Sequence, residues 1–531
     1  MIMSSVDINK VLRQIAKRAE KLEGQYIIES FVDTGTLFDA VTVKENSVIF
    51  GRRGTGKTHL LRYMAEQVKE SGDLAVYIDL RNIGSNGGLY SEVDVPESQR
   101  AMTLIIDTLQ AIHEHVKNEA FALPDDIDIN VTDLISGLDE FIDSASKTKI
   151  TGDIKKSSEV SSSSTQTNKL SGDLKVQFDA LVASGAMSQE LVDALMKKET
   201  FEITGKEEFH IVYPDIARAT RKINSSLGKR KLWLLIDEWA EIPLDLQPYL
   251  ADVMKRAFFS HHSIIVKIGA IENRSRFQKL LSSGYTLGIE LGADASSHIS
   301  LDEFMVFDND ANKAKNFFIN LVHRHAMAFD DNGSIPKTTK RFVSQAFTQE
   351  NAASEFAMSC EGVARDALSI ISECALKSER DKISIPTIRR SAKDCFIRAK
   401  KNTIESMEHA SDLLNWIIDD VIKGRSAKAF MLESNKRDPL IDFLFDNRVL
   451  HIIKQGASAQ DIVGKRYNVY SIDYGCYVDL LSTIYKPRGV IAEEDFDGNI
   501  IYTDVPKNDY RSIRRAILNL NDFYSNVNYR E

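Results

Sequence analysis

A glycine-rich segment near the amino terminus contains residue types that hold phosphate. Residues 51–58 read GRRGTGKT and fit the pattern G-x-x-x-x-G-K-[ST]. Glycines allow the backbone to wrap closely around phosphate groups, with several N–H groups pointing inward. Lys57 would reach the β- and γ-phosphates, and the Thr58 hydroxyl would be a Mg²⁺ ligand. The pattern therefore predicts a site for a nucleoside triphosphate with Mg²⁺. The residues predicted to contact the nucleotide are Gly51, Arg52, Arg53, Gly54, Thr55, Gly56, Lys57, Thr58 and His59.

The segments on either side of this loop match the structural context that the pattern requires. The apolar run at residues 47–50 predicts a strand, and residues 59–69 have the periodicity of a helix. The amino terminus of that helix would add the positive end of its dipole. A chance match in a glycine-rich turn is the alternative, and the strand–loop–helix order argues against it. Arg52 and Arg53 lie inside the loop, where arginines are more often solvated than catalytic.

A second group of chemically useful residues is a pair of acids at the end of an apolar run. Residues 231–238 read KLWLLIDE, so a buried strand is predicted to end in Asp237 and Glu238. Such a strand holds carboxylates rigidly at the carboxyl edge of a sheet, beside the phosphate loop. Asp237 would bind Mg²⁺ through water, and Glu238 would orient and polarise the attacking water. The alternative is a buried strand that ends in two capping acids.

Polar residues also follow the next predicted strand, at residues 263–271. A polar group there would lie between the loop and the acid pair, next to the γ-phosphate. Asn273 is the first choice for this sensing role and Glu272 is the second. Arg274 and Arg276 could reach across a subunit interface and neutralise charge in the transition state. Surface or intramolecular ion pairs are an equally good interpretation of both arginines.

A parallel sheet is needed to bring these residues together. Continuous apolar runs that alternate with helical patterns predict buried parallel strands joined by crossover helices. The predicted strands are residues 47–50, 74–80, 231–236, 263–271 and 285–291. Before them, residues 6–23 predict a helix and residues 26–33 an extended segment. Phe31 and Val32 in that segment could pack against an adenine, although burial in the core is the more common role of such residues.

The composition describes a globular protein of several domains. The chain has 531 residues, which is too long for one hydrophobic core, so two to four domains are expected. A net charge of −10 excludes a chain-wide basic surface for nucleic acid. The four cysteines have neither C-x-x-C nor metal spacing and are expected to be reduced thiols. Because there is no apolar signal core and no run of about 18 apolar residues, we expect a cytoplasmic protein without membrane contact.

The order of these features predicts three domains. A nucleotide-binding core at residues 1–300 would carry an insertion at residues 81–230, with a mobile serine-rich loop at residues 147–171 and a helix at residues 176–198. Residues 301–402 would form a lid of helices at residues 309–327, 339–347, 352–358, 365–377 and 387–398. Arg365 on this lid could reach back to the nucleotide or be solvated. Residues 403–531 mix helices, among them residues 439–446 and 510–519, with short strands and a hairpin around residues 497–498, which favours a winged-helix module. Its 16 Lys and Arg against 20 Asp and Glu give a net charge of −4, whereas DNA-binding wings are usually basic. A role in protein interaction is therefore at least as good an expectation.

The loop at residues 51–58, the acids Asp237 and Glu238, the turn after residue 271 and the lid segment GVAR at residues 362–365 together resemble an AAA+ ATPase. More narrowly, they resemble the branch related to origin-recognition initiators. The resemblance implies an α/β fold, with a P-loop parallel sheet, helices on both faces, a helical lid and a C-terminal winged-helix-like module. It also implies ATP and Mg²⁺ as cofactors. By resemblance, sensor one is Asn273, sensor two is Arg365 and the finger is Arg274 or Arg276, whereas residues 81–230 are unmatched.

Three functions are compatible with this resemblance. The first is an AAA+ switch or machine that hydrolyses ATP, forms a homo-oligomer through its nucleotide sites and acts on a partner protein or DNA. Stand-alone bacterial ATPases of this branch often look like components of anti-phage systems. The second is a DNA-bound initiator or loader that is gated by ATP binding. The third is a signalling scaffold of the STAND type, with an effector subunit on another chain. The sequence names neither the partner nor the oligomer size.

Overall fold

The computed structural model describes residues 5–22, 24–33, 37–83, 95–123, 128–145, 148–157, 200–209, 213–304, 311–423, 429–458, 464–481, 493–494, 500–501 and 516–527. The strands are β1 (Ser47–Phe50), β2 (Leu74–Asp79), β3 (Thr148–Ser157), β4 (Thr200–Phe209), β5 (Leu232–Asp237), β6 (Ile264–Ala270), β7 (Gln278–Leu280), β8 (Thr286–Gly288), β9 (Ser296–Ser300), β10 (Ala429–Glu433), β11 (Leu450–Ser458), β12 (Arg466–Ile472), β13 (Glu493–Glu494) and β14 (Ile500–Ile501).

The helices are α1 (Ser5–Gln14), α2 (Gln25–Ser30), α3 (Leu37–Val41), α4 (Lys57–Glu70), α5 (Glu97–Phe121), α6 (Val131–Ala145), α7 (Tyr213–Ser226), α8 (Gln247–Met254), α9 (Leu301–Phe304), α10 (Ala311–Ala328), α11 (Thr339–Ala346), α12 (Glu350–Ser359), α13 (Ala364–Ser378), α14 (Ile385–Phe396), α15 (Asn402–Glu405), α16 (Ala410–Trp416), α17 (Pro439–Asp446), α18 (Tyr474–Leu481) and α19 (Leu520–Val527). None of the helices in the described part of the chain is long and apolar enough to cross a membrane.

A five-stranded parallel sheet in the order β2–β5–β6–β1–β9 forms the centre of the molecule. Every residue of β5 and of β6 is buried. Because the apolar runs of these strands do not alternate with polar residues, both faces of the sheet must be covered. One face packs on α5, α6, α7 and α8, and the other packs on α3 and α4. The predicted α/β fold with helices on both faces of a parallel sheet is confirmed.

Two of the elements predicted in the nucleotide-binding core are wrong. The fifth strand of the sheet is β9, whereas residues 286–288 form β8, which pairs antiparallel with β7. Strand β8 ends at Gly288, whose φ of +106° lies outside the strand region. The segment predicted as extended at residues 26–33 begins as α2, which follows Gly24 at φ +49°.

The helices within the predicted insertion are part of the main core. Helices α5, α6 and α7 contribute to the same hydrophobic cluster as the sheet. Strands β3 and β4 form a ten-residue antiparallel ladder, so the serine-rich loop predicted at residues 147–171 contains a strand over Thr148–Ser157. The remainder of that loop and the helix predicted at residues 176–198 lie outside the described residues.

Helices α10 to α14 form a second hydrophobic cluster, as predicted for a helical lid, and α1 joins them. The apolar face of α1, formed by Ile8, Val11 and Leu12, is buried in this cluster, together with Ile15 just after the helix. The domain limits stay a prediction, but α1 packs among the lid helices and not on the sheet to which the prediction assigns it.

The C-terminal part has a winged-helix-like arrangement. Strands β10, β12 and β11 form an antiparallel sheet in that order, α17 connects β10 to β11, and β11 and β12 form a hairpin. Residues 516–518 run beside β10, where Met431 and Ile517 form a parallel bridge. The helix predicted at residues 510–519 is therefore wrong over its described part, and α19 begins at Leu520. The predicted hairpin around residues 497–498 is supported by the pairing of β13 with β14, although its turn lies outside the described residues.

A candidate nucleotide-binding site at the carboxyl edge of the sheet

A cavity of about 310 Å³ lies where the phosphate loop, the sheet edge and the lid meet. The phosphate loop, residues 51–56, forms one wall, and the segment after α1 forms a second. The first turn of α13 and part of α10 form the lid side. The lining residues are Ala16, Lys17, Arg18, Ala19, Glu20, Arg53, Gly54, Gly56, Lys57, Thr58, His59, Arg81, Glu238, Glu241, Leu321, His325, Ala364, Arg365 and Leu368. The cavity therefore brings together side chains from six separate parts of the chain.

The phosphate loop has the backbone geometry that an anion cradle requires. Gly54 and Gly56 have φ of +90° and +107°, a region that side chains rarely adopt. A Cβ at Gly54 would lie 2.8 Å from the Cβ of Arg365, whereas none of the surrounding atoms is within 4 Å of a Cβ at Gly56. Helix α4 begins at Lys57, so its amino terminus faces the cavity. These features favour a phosphate group beside the first turn of α4.

Lys57 is buried, with 7% of its surface exposed. Its Nζ donates to the backbone oxygens of Gly51 at 2.5 Å and Arg52 at 3.0 Å. Burial lowers the pKa of Lys57, and the carboxylates of Asp237 and Glu238 oppose that shift. The ammonium group is therefore held inside the loop, within the same cavity wall as the predicted phosphate position.

The Thr58 hydroxyl and the Asp237 carboxylate are two neighbouring oxygen groups that are suited to Mg²⁺. The Thr58 hydroxyl donates to Asp237 Oδ2 at 2.6 Å, and the Tyr77 hydroxyl donates to the same oxygen at 2.9 Å. The Asp237 side chain is fully buried, and its Oδ1 accepts from the Glu238 backbone N–H at 2.9 Å. A hydroxyl beside a carboxylate is the hard oxygen set that Mg²⁺ prefers, with phosphates and water completing the shell. The described residues contain no cluster of three or more His, Cys, Asp or Glu side chains that could hold a metal alone.

Glu238 is held in a strained position at the end of β5. Its φ of +58° is unusual for a residue with a side chain, and such strain is often found at functional sites. Burial and the neighbouring Asp237 raise the pKa of Glu238, while Lys57 and Arg81 lower it. A carboxylate whose pKa is raised is a better proton acceptor than an exposed one.

Sequence reasoning missed Arg81, Glu20 and Tyr77, which surround the acid pair. Arg81 lies just after β2, with its guanidinium 2.5 Å from Asp79, 3.2 Å from Glu20 and 3.7 Å from Glu238. These contacts raise the pKa of Arg81, and the hydrogen bond to Asp79 contributes most to the shift. Position could have identified Arg81, because it follows a predicted strand at the carboxyl edge of the sheet. No local signal identifies Glu20, which reaches the site from a turn after α1.

The lid supplies Arg365 to the cavity. Its backbone N–H donates to the Gly54 oxygen at 3.0 Å, and its guanidinium lies 3.8 Å from the Glu20 carboxylate. Burial and the nearby Arg448 guanidinium lower the pKa of Arg365. The structure thus brings Arg365 to the phosphate loop, whereas its predicted role as sensor two stays a prediction.

The turn after β6 does not line the cavity. Asn273 Oδ1 accepts from Arg437 at 3.1 Å, so its side chain is directed at the C-terminal module. Gln247 fixes the turn by donating to the Arg274 oxygen at 3.1 Å and accepting from the Arg276 N–H at 2.6 Å. Glu272 and Arg276 are exposed. The sensor role of Asn273 or Glu272 and the finger roles of Arg274 and Arg276 stay predictions.

The two arginines of the phosphate loop have different environments. Arg53 lines the cavity and pairs with Glu241 at 2.5 Å. Arg52 is only 4% exposed, and its guanidinium contacts Asp302 at 2.6 Å and the C-terminal module. The expectation that both are solvated is therefore wrong for Arg52. Its side chain also does not line the cavity, because these contacts direct it away from the predicted phosphate position.

An apolar recess adjoins the phosphate end of the cavity. It encloses about 50 Å³ and is lined by Phe31, Val32, Leu37, Thr55, Gly56, His59, Leu60, Leu301, Phe317, Leu321 and Ala364. Phe31 is buried and stacks on Tyr63 with ring centroids 3.9 Å apart, so it is at least a core residue. Burial lowers the pKa of His59 and lowers that of His325 to about 3. Both imidazoles are therefore neutral at physiological pH.

Comparison with known proteins assigns the chain to a family. The family model described as ORC-CDC6-like matches residues 16–360, which is more than half of the chain. No curated protein matches. Among solved structures, the Aeropyrum pernix ORC1 protein in complex with DNA aligns over 89% of this chain and 96% of its own, with 12% sequence identity and a TM-score of 0.31. The family match confirms the resemblance to origin-recognition AAA+ ATPases, and this chain belongs to the ORC-CDC6-like family.

Proposed function

We propose that this protein is a Mg²⁺-dependent AAA+ ATPase that binds and hydrolyses ATP at the carboxyl edge of its sheet and acts on a partner protein or on DNA. The observation that carries the proposal is the hydrogen bond from the Thr58 hydroxyl to the buried Asp237 carboxylate, at 2.6 Å, because Thr58 lines one cavity together with Lys57, Glu238 and Arg365. Loop lysine, metal ligands, a water-orienting carboxylate and a lid arginine are the parts that ATP hydrolysis by this class requires.

In this proposal each group of the cavity has one task. Lys57 and the amino terminus of α4 bind the phosphates, and Thr58 and Asp237 hold Mg²⁺. Glu238 orients a water for attack on the γ-phosphate, because its carboxylate lines the cavity beside the acid that holds the metal. Arg365 places positive charge on the lid side. Bound Mg²⁺ would neutralise charge on the phosphates.

The remaining expectations extend the proposal. We assign the ATPase core to residues 1–300, the lid to residues 301–402 and the winged-helix-like module to residues 403–531. In a homo-oligomer, the turn after β6 would present Arg274 or Arg276 to a neighbouring subunit, where that arginine would act as the finger. A partner protein or effector subunit and a place in anti-phage defence are carried over from the motif resemblance. A cytoplasmic location is carried over from the expectation of reduced thiols.

Two substitutions test the ATPase proposal directly. We expect Lys57→Ala to abolish ATP binding and Glu238→Gln to retain binding while lowering turnover by roughly 10²-fold or more, the range for general acid–base groups. Binding is measured by calorimetry and turnover by phosphate release. Lys69→Ala is the control, since Lys69 lies on the exposed end of α4 and pairs with Glu119. Wild-type turnover in Glu238→Gln would remove the water-orienting role, and wild-type binding in Lys57→Ala would remove the site.

A second candidate function, ATP-gated binding of duplex DNA, is favoured by the hairpin of β11 and β12. The side chains of Lys454, Lys465 and Arg466 are exposed along it, and a positively charged hairpin can contact phosphate. Binding of a duplex that weakens steeply with salt, and that is lost in the Lys465→Glu, Arg466→Glu double variant, would support this candidate. Binding that does not depend on these side chains would contradict it.

A further inference from the structure

The guanidinium of Arg52 connects the phosphate loop to the C-terminal module. Besides its pair with Asp302, Nη1 donates to the Leu450 oxygen at 2.9 Å and lies 3.2 Å from Nδ1 of His451. Its Cζ lies 4.5 Å from the centre of the Phe445 ring. Burial lowers the pKa of His451 to about 4, so the imidazole is neutral and Nδ1 can accept from the guanidinium. A buried arginine from the core thus bonds to the start of β11 and stacks on α17.

The backbone of the same residue determines the shape of the phosphate loop. The N–H of Arg52 donates to Asp302 Oδ2 at 2.8 Å. Its carbonyl oxygen accepts from Lys57 Nζ at 3.0 Å and from Thr55 Oγ1 at 2.9 Å. Arg52 therefore contacts the module with its side chain and Lys57, the predicted ATP-binding lysine, with its carbonyl oxygen. A movement of the module would be transmitted to Lys57 through a single peptide unit.

A second buried connection joins the module to the lid near the same loop. Arg448 pairs with Asp366 at 2.9 Å, and Lys400 pairs with Asp366 at 2.9 Å and with Asp473 at 2.6 Å. Burial raises the pKa of Asp366, but Lys400 and Arg448 outweigh it and hold the pKa below its usual value. Asp366 is the neighbour of the cavity residue Arg365. The module therefore contacts both sides of the cavity, which gives it two rigid points of attachment.

We propose that Arg52 is a positioning residue through which the C-terminal module holds the phosphate loop in its ATP-binding shape. The proposal rests on the proposed ATPase function and adds its regulation. Because coupling between two sites is reciprocal, docking of the module strengthens ATP binding and ATP strengthens docking of the module by the same factor. A partner that pulls the module away would release the nucleotide. The Arg52 side chain does not line the cavity, so its loss acts on binding and not on the chemical step.

The test compares Arg52→Lys and Arg52→Ala with wild type. Lysine keeps a positive charge for Asp302 but cannot make the two module contacts or stack on Phe445 as a planar guanidinium does. We expect both variants to raise KM for ATP roughly tenfold, within the usual range of coupling, with kcat unchanged. We also expect faster hydrogen exchange in α17 and the loss of its slowing by ATP. If Arg52→Ala does not fold, Arg52→Lys decides the question.

Two further variants separate coupling from a general weakening of the loop. Arg53→Ala changes the neighbouring arginine, which pairs with Glu241 and not with the module, so hydrogen exchange in α17 should stay as in wild type. His451→Ala removes a module contact without changing the loop, and its effect on KM should not add to that of Arg52→Lys.

Each outcome of these measurements decides one proposal. Wild-type KM together with wild-type exchange of α17 in Arg52→Lys would overturn the coupling. A raised KM with unchanged exchange in α17 would also overturn it, because the loop alone would then be affected. Failure of the wild-type protein to bind ATP would instead contradict the proposed function, and that result is visible before any variant is made.

Discussion

The carboxylate of Glu238 is subject to opposing influences whose balance sets its proton affinity. Burial and the adjacent Asp237 raise its pKa, whereas Lys57 and Arg81 lower it. Arg81 is fixed at this position by its contacts with Asp79 and Glu20. If Glu238 is the group that orients water, it must be ionised to act. The rate should then fall as the pH decreases through its pKa.

Removal of Arg81 should shift this dependence in a known direction. Arg81→Ala deletes a cation that lowers the pKa of Glu238, so the pKa rises further and the acid limb of the kcat profile moves to higher pH. Arg81→Lys keeps the charge and should move the limb less. The measurement is phosphate release at saturating ATP from pH 5 to 9. An acid limb that stays in place or moves to lower pH would contradict the effect of Arg81 on the pKa of Glu238.

At the scale of the element, α1 is an amphipathic helix that belongs to the lid. Its apolar positions Ile8, Val11 and Leu12 recur at helical spacing, so they form one face, and that face is buried together with Ile15, which follows the helix. Asn9 adds a polar contact to the lid by donating to the Asp381 oxygen at 2.9 Å. The segment after α1 then forms a wall of the cavity. Helix α1 therefore connects this wall of the cavity to the lid.

A substitution in this face should destabilise the lid. Leu12 is fully buried, and Leu12→Ala should lower the free energy of unfolding of the lid by about 2–5 kcal/mol, the range for large-to-small changes in a core. Hydrogen exchange of α13 in increasing denaturant measures this locally, which is needed because a chain of several domains does not unfold in one step. Lys10→Ala, at an exposed position of α1, is the control. Equal effects of the two substitutions would contradict the packing described.

At the scale of the whole molecule, the C-terminal module lies against the ATPase core with α17 inward. The Cζ of Arg52 in the phosphate loop lies 4.5 Å from the centre of the Phe445 ring of this helix, and Asp446 faces Arg274, Arg52 and Arg53. Arg437, just before it, donates to Asn273 in the turn after β6. In this arrangement α17 is not free to enter a groove of DNA, and the hairpin of β11 and β12 is the exposed part of the sheet. Binding of a partner through α17 would require the module to move.

Asp446 should make this docking sensitive to pH. Burial raises its pKa to about 7, while the facing groups Arg274, Arg52 and Arg53 oppose the shift and Asp442 adds to it. A carboxyl group with a raised pKa is more protonated in the docked state, so docking weakens as the pH rises from about 4 to 7 and stays weakened above that range.

Asp446→Asn should remove this pH dependence. The variant should be more stable than wild type, with an advantage that grows with pH to at most about 4 kcal/mol at pH 8, since each pKa unit corresponds to about 1.4 kcal/mol. Denaturant titration followed by hydrogen exchange of α17 at pH 5 and pH 8 measures the difference. The control is Asp522→Asn, at an exposed position of α19. An advantage that is the same at both pH values would argue against a buried carboxyl group.

The sequence by itself determined the parts of this protein that depend on local patterns. The phosphate loop needs glycines, a lysine and a threonine at fixed spacing, so its position between β1 and α4 could be predicted. Asp237 and Glu238 could be predicted because an apolar run followed directly by two acids indicates a buried strand that ends at the carboxyl edge of a sheet. The lid helices α10 to α14 and α17 were predicted to within a few residues, because an apolar period of 3.6 repeats over neighbouring positions.

Only the tertiary structure decided which distant side chains meet. Arg52 bonds to Leu450, 398 residues away, and Asn273 bonds to Arg437, 164 residues away. Arg81 contacts both Glu20 and Glu238 for the same reason. Likewise, only the structure shows that β9, and not residues 285–291, pairs with β1 as the fifth strand. It also shows that the apolar face of α1 packs on the lid. Periodicity records which face of an element is apolar, but the partner of that face is set by packing over the whole chain.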